Sequence, residues 1–375
     1  MSFSVNVMPY GVSKLVTLAS PALQVTISTL GATIHSVKVF QPQQKRWVEV
    51  NMQYNSRDEA LADCGTYFGA TVGRFAGRVG NGRFVLDNVE YHTPKNAGEH
   101  TIHGGGNAFD KKEWGFVVSS NTEAGVSVTF NYTSPHMENG FPAELACKVV
   151  YAINKKSPNA LRVEFLADIT DTSPADATIV NMFNHAYWNL NGFPERSPGQ
   201  AWAQAEPVHN HHLRMPNCDL VAETNSSAIP NGKLVQVKGA LDFRTGCPIG
   251  KGIADKATLN RDPCGYDHPY FVSGWKPHGP LRLNAEVSSP SSGIQMQVYS
   301  TFPCVWVYTA NNLKEGASGK PGDRFARHTA VAIEPQQLPD AANWKSFPQS
   351  VVRRGSPYRE TMVNVFSVPS AASKV

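Results

Sequence analysis

The chain has 375 residues, of which 41% are apolar and 17% charged, and its formal net charge is +4. This composition excludes a disordered protein, and the absence of a run of five or six basic residues argues against a nucleic-acid partner. No apolar stretch approaches the ~18 residues that a membrane-spanning helix needs, so no membrane partner is expected.

The elements predicted along the chain are mostly strands. The first element is an exception, because Ser56 followed by Glu59 is a possible capping box for a short helical turn over 58–63. A tight hairpin is predicted next, where Phe84 and Leu86 lead into Asp87-Asn88. Apolar residues then alternate with polar ones in segments 126–132, 161–169 and 294–298, the last followed by the apolar run 305–308. A period of two predicts half-buried antiparallel strands.

These elements predict an all-β fold, a large antiparallel β-sandwich with few short helices. The chain contains 30 Gly and 26 Pro, as expected for many strands joined by turns. Long amphipathic helices do not alternate with the strands, which argues against a doubly wound α/β fold. No segment is typical of a linker between two cores, so residues 1–375 are expected to form a single domain.

The cysteines and the two ends of the chain indicate the cellular compartment in which the protein is expected. The six cysteines are scattered and form no CxxC pair or small-domain disulfide framework. The N-terminus lacks the basic and apolar regions of a signal peptide, so a reduced, cytoplasmic protein is expected. The last three residues, Ser373, Lys374 and Val375, are similar to the peroxisomal signal S-K-L but end in a different residue. A frayed tail is the simpler interpretation, and a peroxisome-type organelle is the alternative.

Two motifs that suggest cofactors fail on inspection. Segment 246–252 is one residue short of a phosphate-binding loop and has Gly252 where Ser or Thr would hold magnesium. His209, His211 and His212 suggest zinc, but adjacent residues of a strand point to opposite faces. A structural or surface role is therefore favoured for these histidines, and neither a metal nor another cofactor is expected.

Five segments combine polar side chains with aromatic ones. They are GATVGRFAGR at 69–78, TIHGGG with FDK at 101–111, NHAYWN at 184–189, YDH at 266–268 and IEPQQLPD at 333–340. Together they resemble the galactose mutarotase (aldose 1-epimerase) family, whose members carry GATxGRxANR, LHGG…GFDK, NHxYxN, a YDH-like triplet and LExQxxPD in the same order. The resemblance covers residues 23–368. It implies a galactose mutarotase-like supersandwich with a small-molecule aldose, such as galactose or glucose, bound in a groove across one sheet.

The resemblance also implies roles for particular residues. His185 corresponds to the family's general acid and Glu334 to its general base. Arg78, His103 and Asp267 correspond to residues that hold sugar hydroxyls. The acid and the base are expected to face each other across the pyranose ring.

The chemistry of the residues supports these roles independently. Exchange of anomers opens a cyclic hemiacetal, so a base must take the proton of the C1 hydroxyl while an acid protonates the ring oxygen. Histidine, with an ordinary pKa of ~6.5, can donate a proton at neutral pH, and glutamate, at ~4.3, can accept one. Glu334 also shares its strand face with the small Ala330 and Ala332, which suits the floor of a groove.

Simpler interpretations remain open for each residue. His185 could be a hydrogen-bonded core histidine and Glu334 a solvated residue at a strand end. Arg78 could pair with a surface carboxylate, as is expected of Arg74 and Arg83, and Asp267 could form a turn. Of two tryptophans near the motifs, Trp114 is expected in the core, whereas Trp188 could fill the core or stack on a sugar.

Two positions depart from the family pattern. The ANR motif has become Ala76-Gly77-Arg78, so an Asn that commonly contacts the sugar is missing. VQFY has become Val305-Trp306-Val307-Tyr308, which places Trp306 where a Gln often reaches the substrate. We expect these changes to alter sugar preference or affinity before they abolish activity.

Three other functions compete with an aldose 1-epimerase. A hexose-phosphate 1-epimerase would need several cationic side chains converging on a phosphate. A glycosidase would use Asp267 and Glu334 as paired carboxylates ~5–9.5 Å apart. A non-catalytic carbohydrate-binding protein would not need both His185 and Glu334. A monomer or a weak dimer is expected.

Overall fold

A computed structural model describes residues 2–63, 65–121, 124–193, 205–313, 317–318 and 324–369. No helix within these ranges is long and apolar enough to cross a bilayer. The C-terminal residues Ser373, Lys374 and Val375, on which a targeting signal was considered, lie outside them.

Strands of ten residues or fewer dominate the described part of the chain. They are, in chain order, β1 Ser4–Tyr10, β2 Ser13–Ala19, β3 Leu23–Ser28, β4 Thr33–Gln41, β5 Arg46–Asn51, β6 Thr71–Val72, β7 Arg78–Val79, β8 Arg83–Leu86, β9 Val89–His92, β10 Thr101–Ile102, β11 Gly115–Asn121, β12 Gly125–Ser134, β13 Leu145–Asn154, β14 Ala160–Ile169, β15 Ala177–Ile179, β16 Phe183–Asn184, β17 Tyr187–Phe193, β18 His212–Arg214, β19 Leu220–Thr224, β20 Pro230–Gln236, β21 Cys247–Pro248, β22 Asp267–Phe271, β23 Arg282–Ser288, β24 Gln295–Ser300, β25 Cys304–Tyr308, β26 Ala317–Ser318, β27 Arg324–Phe325, β28 Val331–Gln336, β29 Val351–Arg353 and β30 Tyr358–Ser367. The α-helices in these ranges are α1 Arg57–Ala62 and α2 Lys256–Leu259. Single 3₁₀ turns occur at Gly80–Gly82, Phe109–Lys111, Glu138–Gly140, Val208–Asn210, Gly239–Leu241, Ile249–Lys251 and Ala341–Asn343.

Two large antiparallel sheets form the body of the molecule. The first has eleven strands in the order β1-β2-β3-β4-β5-β17-β28-β25-β22-β19-β20. The second has nine, in the order β11-β12-β13-β14-β30-β24-β23-β18-β21. Inward-facing residues of both sheets belong to one hydrophobic core. The all-β antiparallel sandwich predicted from the sequence is confirmed.

The period-two alternation explains how the sheets bury that core. On β14 the alternate apolar side chains are almost fully buried, namely Leu161, Val163, Phe165, Ala167 and Ile169. Successive side chains of a strand point to opposite faces, so one face of the strand enters the core while its polar neighbours stay outside. Burial of apolar area at roughly 25 cal/mol per Å² is the main stabilising contribution from this arrangement.

The two predicted local structures are both present. Leu86 pairs with Val89, and between them Asp87 and Asn88 have φ values of 51° and 65°. Positive φ at both central residues is what a two-residue hairpin turn requires. At α1, the Ser56 hydroxyl accepts a hydrogen bond from the Glu59 amide at 3.1 Å. The Glu59 carboxylate accepts from the amide of residue 55 rather than from that of Ser56.

Arg74 does not pair with a surface carboxylate, so that expectation was wrong. Its side chain is 2% exposed, and its guanidinium donates to main-chain carbonyls of Pro142 at 2.6 Å, Ala143 at 2.8 Å and Pro135 at 2.9 Å. The tertiary fold brings these carbonyls together, which no local pattern reveals. Arg83 does pair at the surface as expected, with Glu90 at 2.7 Å.

Several other polar and aromatic residues have structural roles. The His211 ring nitrogen Nε2 accepts a hydrogen bond from the Leu190 amide at 2.9 Å, in keeping with the structural role expected of it. Trp114 is buried in the core as predicted. Trp188 is also in the core, where its ring packs edge-on against Phe366.

Candidate active site

The floor of the site is the outer face of four neighbouring strands of the eleven-stranded sheet, β17, β28, β25 and β22. Tyr187 pairs with Ala332, Ala332 with Tyr308, and Tyr308 with Asp267. Glu334 pairs with Trp306 one row further along. Because cross-strand partners and residues two apart share a face, these side chains all point away from the core. Val331 and Ile333, on the opposite face of β28, belong to the core.

Two short two-stranded sheets bring the remaining polar groups over this floor. β16 pairs with β6, and His185 follows β16 directly, where its amide donates to the Ala70 carbonyl at 2.9 Å. β7 carries Arg78 and pairs with β10, which leads into His103. His103 has a φ of 52° and precedes two glycines of positive φ. A Cβ at the first of them, Gly104, would lie 2.2 Å from the Gly73 carbonyl oxygen, so only glycine fits this turn.

These elements border an open cleft with about 510 Å³ of empty space, part of which is open to solvent. It is lined by Gly65, Gly77, Arg78, Ile102, His103, His185, Tyr187, Asp267, Trp306, Tyr308, Asn312, Glu334 and Gln336. All six residues singled out from the sequence, which are His185, Glu334, Arg78, His103, Asp267 and Trp306, therefore lie around one cavity.

His185 and Glu334 lie side by side. The His185 Nδ1 is 3.5 Å from the Glu334 Oε1, and the two residues are 4% and 3% exposed. A pyranose ring cannot fit between atoms this close, so the expectation that they face each other across the ring is wrong. Adjacent groups suit the reaction better, because the ring oxygen and the anomeric hydroxyl oxygen are bonded to the same carbon.

Aromatic rings fix the orientation of the His185 imidazole. The Tyr187 ring stacks on it with centroids 4.8 Å apart and planes 7° apart. The Tyr67 ring is also nearly parallel to it, at 6.1 Å, and His103 meets it edge-on at 5.3 Å. A ring held by neighbours on several sides is preorganised for proton transfer.

Burial shifts the pKa values of the two central groups in opposite directions. It lowers the pKa of His185 to about 3. It also raises the pKa of Glu334 well above its usual range, with the nearby Asp267 carboxylate adding to the rise and Arg78 opposing it. The ordinary pKa values used in the sequence argument do not apply here, because burial disfavours the charged form of each group.

His103 is a neutral imidazole with a defined tautomer. Burial lowers its pKa well below the usual range, and the neighbouring His185 and Arg78 add to the effect. Its Nδ1 accepts a hydrogen bond from the Gly77 amide at 3.3 Å. The ring proton therefore sits on Nε2, and that nitrogen is a hydrogen-bond donor.

Trp306 engages Asp267, the carboxylate expected to hold a sugar hydroxyl. The indole Nε1 donates to the Asp267 Oδ1 at 2.6 Å. The buried Arg261 guanidinium also contacts Asp267. It donates to the Asp267 main-chain carbonyl at 2.9 Å and lies 3.8 Å from the Asp267 Oδ2. One carboxylate oxygen is thus already occupied within the protein.

Four functional neighbours were not singled out from the sequence. Tyr187, Tyr308 and Gln336 line the cleft, and each lies two residues from a residue that was singled out. The period-two rule that placed Glu334 on the floor could have found Tyr308 and Gln336, but not Tyr187, because His185 lies outside β17. Arg261 carries no such signal, because its contact with Asp267 depends on the loop before β22.

The arrangement offers a histidine and a carboxyl group at one point of a polar cleft, with hydrogen-bonding groups around them. Across the described ranges no cluster of His, Cys, Asp and Glu has the geometry to hold a metal ion. The polar groups of the cleft can bind a small hydroxylated molecule and exchange protons with it.

Comparisons with known proteins point to one group of enzymes. The family model described as aldose 1-epimerase matches residues 14–364. Galactose mutarotase of Homo sapiens is 33% identical over 352 residues, covering 94% of this chain and 93% of the relative. Aldose 1-epimerase of Escherichia coli strain K12 is 29% identical over 341 residues, covering 90% of this chain and 89% of the relative. The solved structure of a GalM/aldose epimerase homologue from C. elegans aligns with a TM-score of 0.78 and 25% identity, covering 98% of this chain and all of the other.

Proposed function

The chain belongs to the aldose 1-epimerase family, and from that premise we propose that His185 and Glu334 interconvert the anomers of a neutral hexose such as galactose or glucose. The protein is an isomerase that acts on a small sugar. The observation that carries the residue assignment is the 3.5 Å separation of the His185 Nδ1 and Glu334 Oε1 at the floor of one cleft.

Ring opening transfers one proton at each end of the hemiacetal. The Glu334 carboxylate takes the proton of the anomeric hydroxyl while the His185 imidazolium gives a proton to the ring oxygen. The bond between C1 and the ring oxygen breaks, and an open-chain aldehyde results. The pair starts as an ion pair and ends as a protonated carboxyl beside a neutral imidazole, with one proton in total throughout.

Ring closure reverses these transfers on the other face of C1. After rotation about the C1–C2 bond, the protonated Glu334 returns a proton to the carbonyl oxygen as the hydroxyl at C5 attacks. His185 takes the proton of that hydroxyl. The shifted pKa values favour the neutral pair, so ring closure starts from the favoured form of the one-proton state and ring opening starts from the less populated ion pair.

The surrounding groups are assigned to sugar binding. The His103 Nε2–H and the Arg78 guanidinium are donors for hydroxyl oxygens at the rim of the cleft. Asp267 offers Oδ2 to a sugar hydroxyl, because Oδ1 accepts from Trp306, and the Arg261 guanidinium lies 3.8 Å from Oδ2. Tyr308 lies beside the small Ala332, is partly exposed and provides apolar surface for a sugar face, whereas the Tyr187 ring is buried against His185.

The charge of the cleft favours a neutral sugar over a hexose phosphate. Among the lining residues that the structure describes, Arg78 is the one Lys or Arg side chain. Two candidates for a phosphate cluster lie elsewhere, since Arg74 is buried against carbonyls and Arg83 pairs with Glu90. The glycosidase alternative is disfavoured because the chain matches the aldose 1-epimerase family over residues 14–364.

Optical rotation tests this assignment. We expect the protein to accelerate the change in rotation of freshly dissolved α-D-galactose and α-D-glucose over the buffer rate. Acceleration restricted to hexose 6-phosphates would contradict the neutral-sugar assignment and support the alternative epimerase. Tight sugar binding with no acceleration of any sugar would support a binding protein.

The pKa shifts predict an unusually broad pH range for activity. Together His185 and Glu334 must hold one proton for the reaction. They gain a second proton only as pH falls towards the lowered pKa of His185, about 3. It loses its last proton only above the raised pKa of Glu334. We therefore expect no change in kcat from the titration of His185 between pH 5 and 7, because its lowered pKa lies below that range. The measurement is kcat by polarimetry after subtraction of the buffer rate. A fall in kcat as pH rises, with a midpoint near the ordinary histidine pKa of ~6.5, would show that His185 titrates as an exposed imidazole.

The two departures from the family pattern predict altered affinity. Replacing Trp306 by Gln frees the Asp267 Oδ1. Replacing Gly77 by Asn adds a polar side chain at a φ of 71° that Asn tolerates, and because its Cβ would lie 3.2 Å from the Gln336 Oε1, that amide must shift slightly to admit it. We expect the double variant to bind galactose about fivefold more tightly by KM, as one gained neutral hydrogen bond would give, and to change the galactose-to-glucose ratio of kcat/KM.

Another glycine of positive φ provides the control for the Gly77→Asn substitution. Gly98 has a φ of 61°, and a Cβ added there would meet no atom within 4 Å beyond its chain neighbours, so Gly98→Asn should leave KM unchanged. Unaltered KM and unaltered sugar selectivity in the double variant would refute a role for Gly77 and Trp306 in substrate preference.

We also propose that the enzyme works as one domain, in the cytoplasm, and as a monomer or weak dimer. The single hydrophobic core, to which both large sheets contribute, supports one domain. Size-exclusion chromatography with light scattering, together with the activity at high dilution, tests this. Activity lost on dilution would show that the enzyme needs an oligomer.

A further inference from the structure

Gln336 contacts the proposed catalytic carboxylate directly. Its Nε2 donates to the Glu334 Oε2 at 3.0 Å, and both side chains are almost fully buried. The two residues are two apart on β28 and so share its outer face. The amide therefore binds one carboxylate oxygen and leaves the other, Oε1, towards His185.

The Gln336 amide is held by this one contact. Its Oε1 is buried and makes no hydrogen bond to any residue that the structure describes. Gly77 lies against it, since a Cβ at residue 77 would be 3.2 Å from that oxygen. A side chain that served only to stabilise the fold would be expected to satisfy both amide groups, because an unpaired buried acceptor costs ~1–3 kcal/mol.

The amide donor opposes the effect of burial on Glu334. Burial raises the pKa of this carboxyl, and a hydrogen bond donated to the ionised form lowers it. The other titratable or charged groups around Glu334 are His185, Asp267, Arg78, His103, Tyr187, Tyr308 and Cys304. Of these, Arg78 is the one permanent cation, and it acts through its field without a hydrogen bond. Gln336 is thus the neighbour seen to donate a hydrogen bond to the carboxylate.

We propose that Gln336 is a positioning residue that binds the Glu334 Oε2, aims Oε1 at the anomeric hydroxyl and stabilises the carboxylate form that accepts its proton. The proposal rests on the assignment of Glu334 as the base. It gives Gln336 no contact with the reacting atoms, so its loss should lower kcat and leave KM nearly unchanged.

Two substitutions separate positioning from space filling. Gln336→Met keeps the volume and removes the donor, and we expect kcat to fall about 10- to 100-fold at every pH, as for the loss of a hydrogen bond to a charged group. Gln336→Glu places a second carboxyl beside Glu334. Two adjacent carboxylates cannot both ionise easily and share one proton, so the protonated Glu at 336 can replace the amide donor at low pH. The kcat of Gln336→Glu should approach the wild-type value near pH 5 and fall as pH rises. Its pH profile should therefore show a decrease that the wild-type profile lacks.

The controls distinguish the failure of this proposal from that of the proposed function. Gln297 donates through Nε2 to the Glu286 Oε1 at 2.9 Å on the nine-stranded sheet, so Gln297→Met removes an equivalent bond outside the cleft and should leave kcat unchanged. If Glu334→Gln is inactive but Gln336→Met has a kcat within twofold of wild type, the positioning role is refuted and the base survives. If Glu334→Gln is fully active, the base assignment itself fails. Should Gln336→Met not fold, a pH profile of Gln336→Glu identical in shape to wild type would overturn the proposal.

Discussion

Glu334→Gln is expected to lower kcat by roughly 10²–10⁴-fold, because it removes the group that takes the anomeric proton. The substitution keeps the shape of the side chain, and an amide can still lie beside His185 in the buried floor of the cleft. KM should change little, since the sugar is held chiefly by Arg78, His103 and Asp267. The measurement is the rate of change of optical rotation of freshly dissolved α-D-galactose at saturating sugar.

A glutamate far from the cleft provides the control. Glu164 is partly exposed on β14, where it pairs with Arg162 at 2.7 Å. Glu164→Gln should retain the wild-type kcat. A wild-type kcat in Glu334→Gln, with its fold verified by circular dichroism, would remove Glu334 from the mechanism.

His185→Phe is expected to have a loss of similar size, roughly 10²–10⁴-fold in kcat, because no group then protonates the ring oxygen. Phenylalanine preserves the ring that stacks against Tyr187 and Tyr67, so the variant separates proton transfer from packing. Thermal unfolding should therefore remain close to wild type while the rate falls.

His92, which is 72% exposed on the β8–β9 hairpin, provides the matched control, and His92→Phe should be fully active. Retention of most of the activity in His185→Phe would mean that the imidazole serves as a stacked core ring. The simpler structural interpretation of this residue would then stand.

Local patterns in the sequence predicted those parts of the molecule that depend on neighbours along the chain. The alternation at 161–169 predicted β14, and Asp87-Asn88 predicted a two-residue turn because both residues tolerate positive φ. The same alternation placed Glu334 on the face of Ala330 and Ala332, outside the core. Carried two residues further, it also places Gln336 on that face.

Features that depend on distant contacts were out of reach of these patterns. Arg74 is buried against carbonyls some 60 to 70 positions away in the sequence, so nothing near it in the chain distinguishes it from the surface pair of Arg83. The pKa values of His185 and Glu334 depend on burial among elements that are distant from one another along the chain. The side-by-side placement of His185 and Glu334 depends on how β16 lies over β28. The family resemblance gave their roles but not the distance between their side chains.

The central claim is that His185 and Glu334 act as one unit that passes protons through the sugar. The most direct test is the rate of rotation change of freshly dissolved α-D-galactose with wild type, His185→Phe, Glu334→Gln and the double variant. Residues that act together lose their effect together, so we predict that the double variant is no slower than the slower single variant. A double variant slowed by the product of the two single losses would contradict the claim, because the two residues would then act independently.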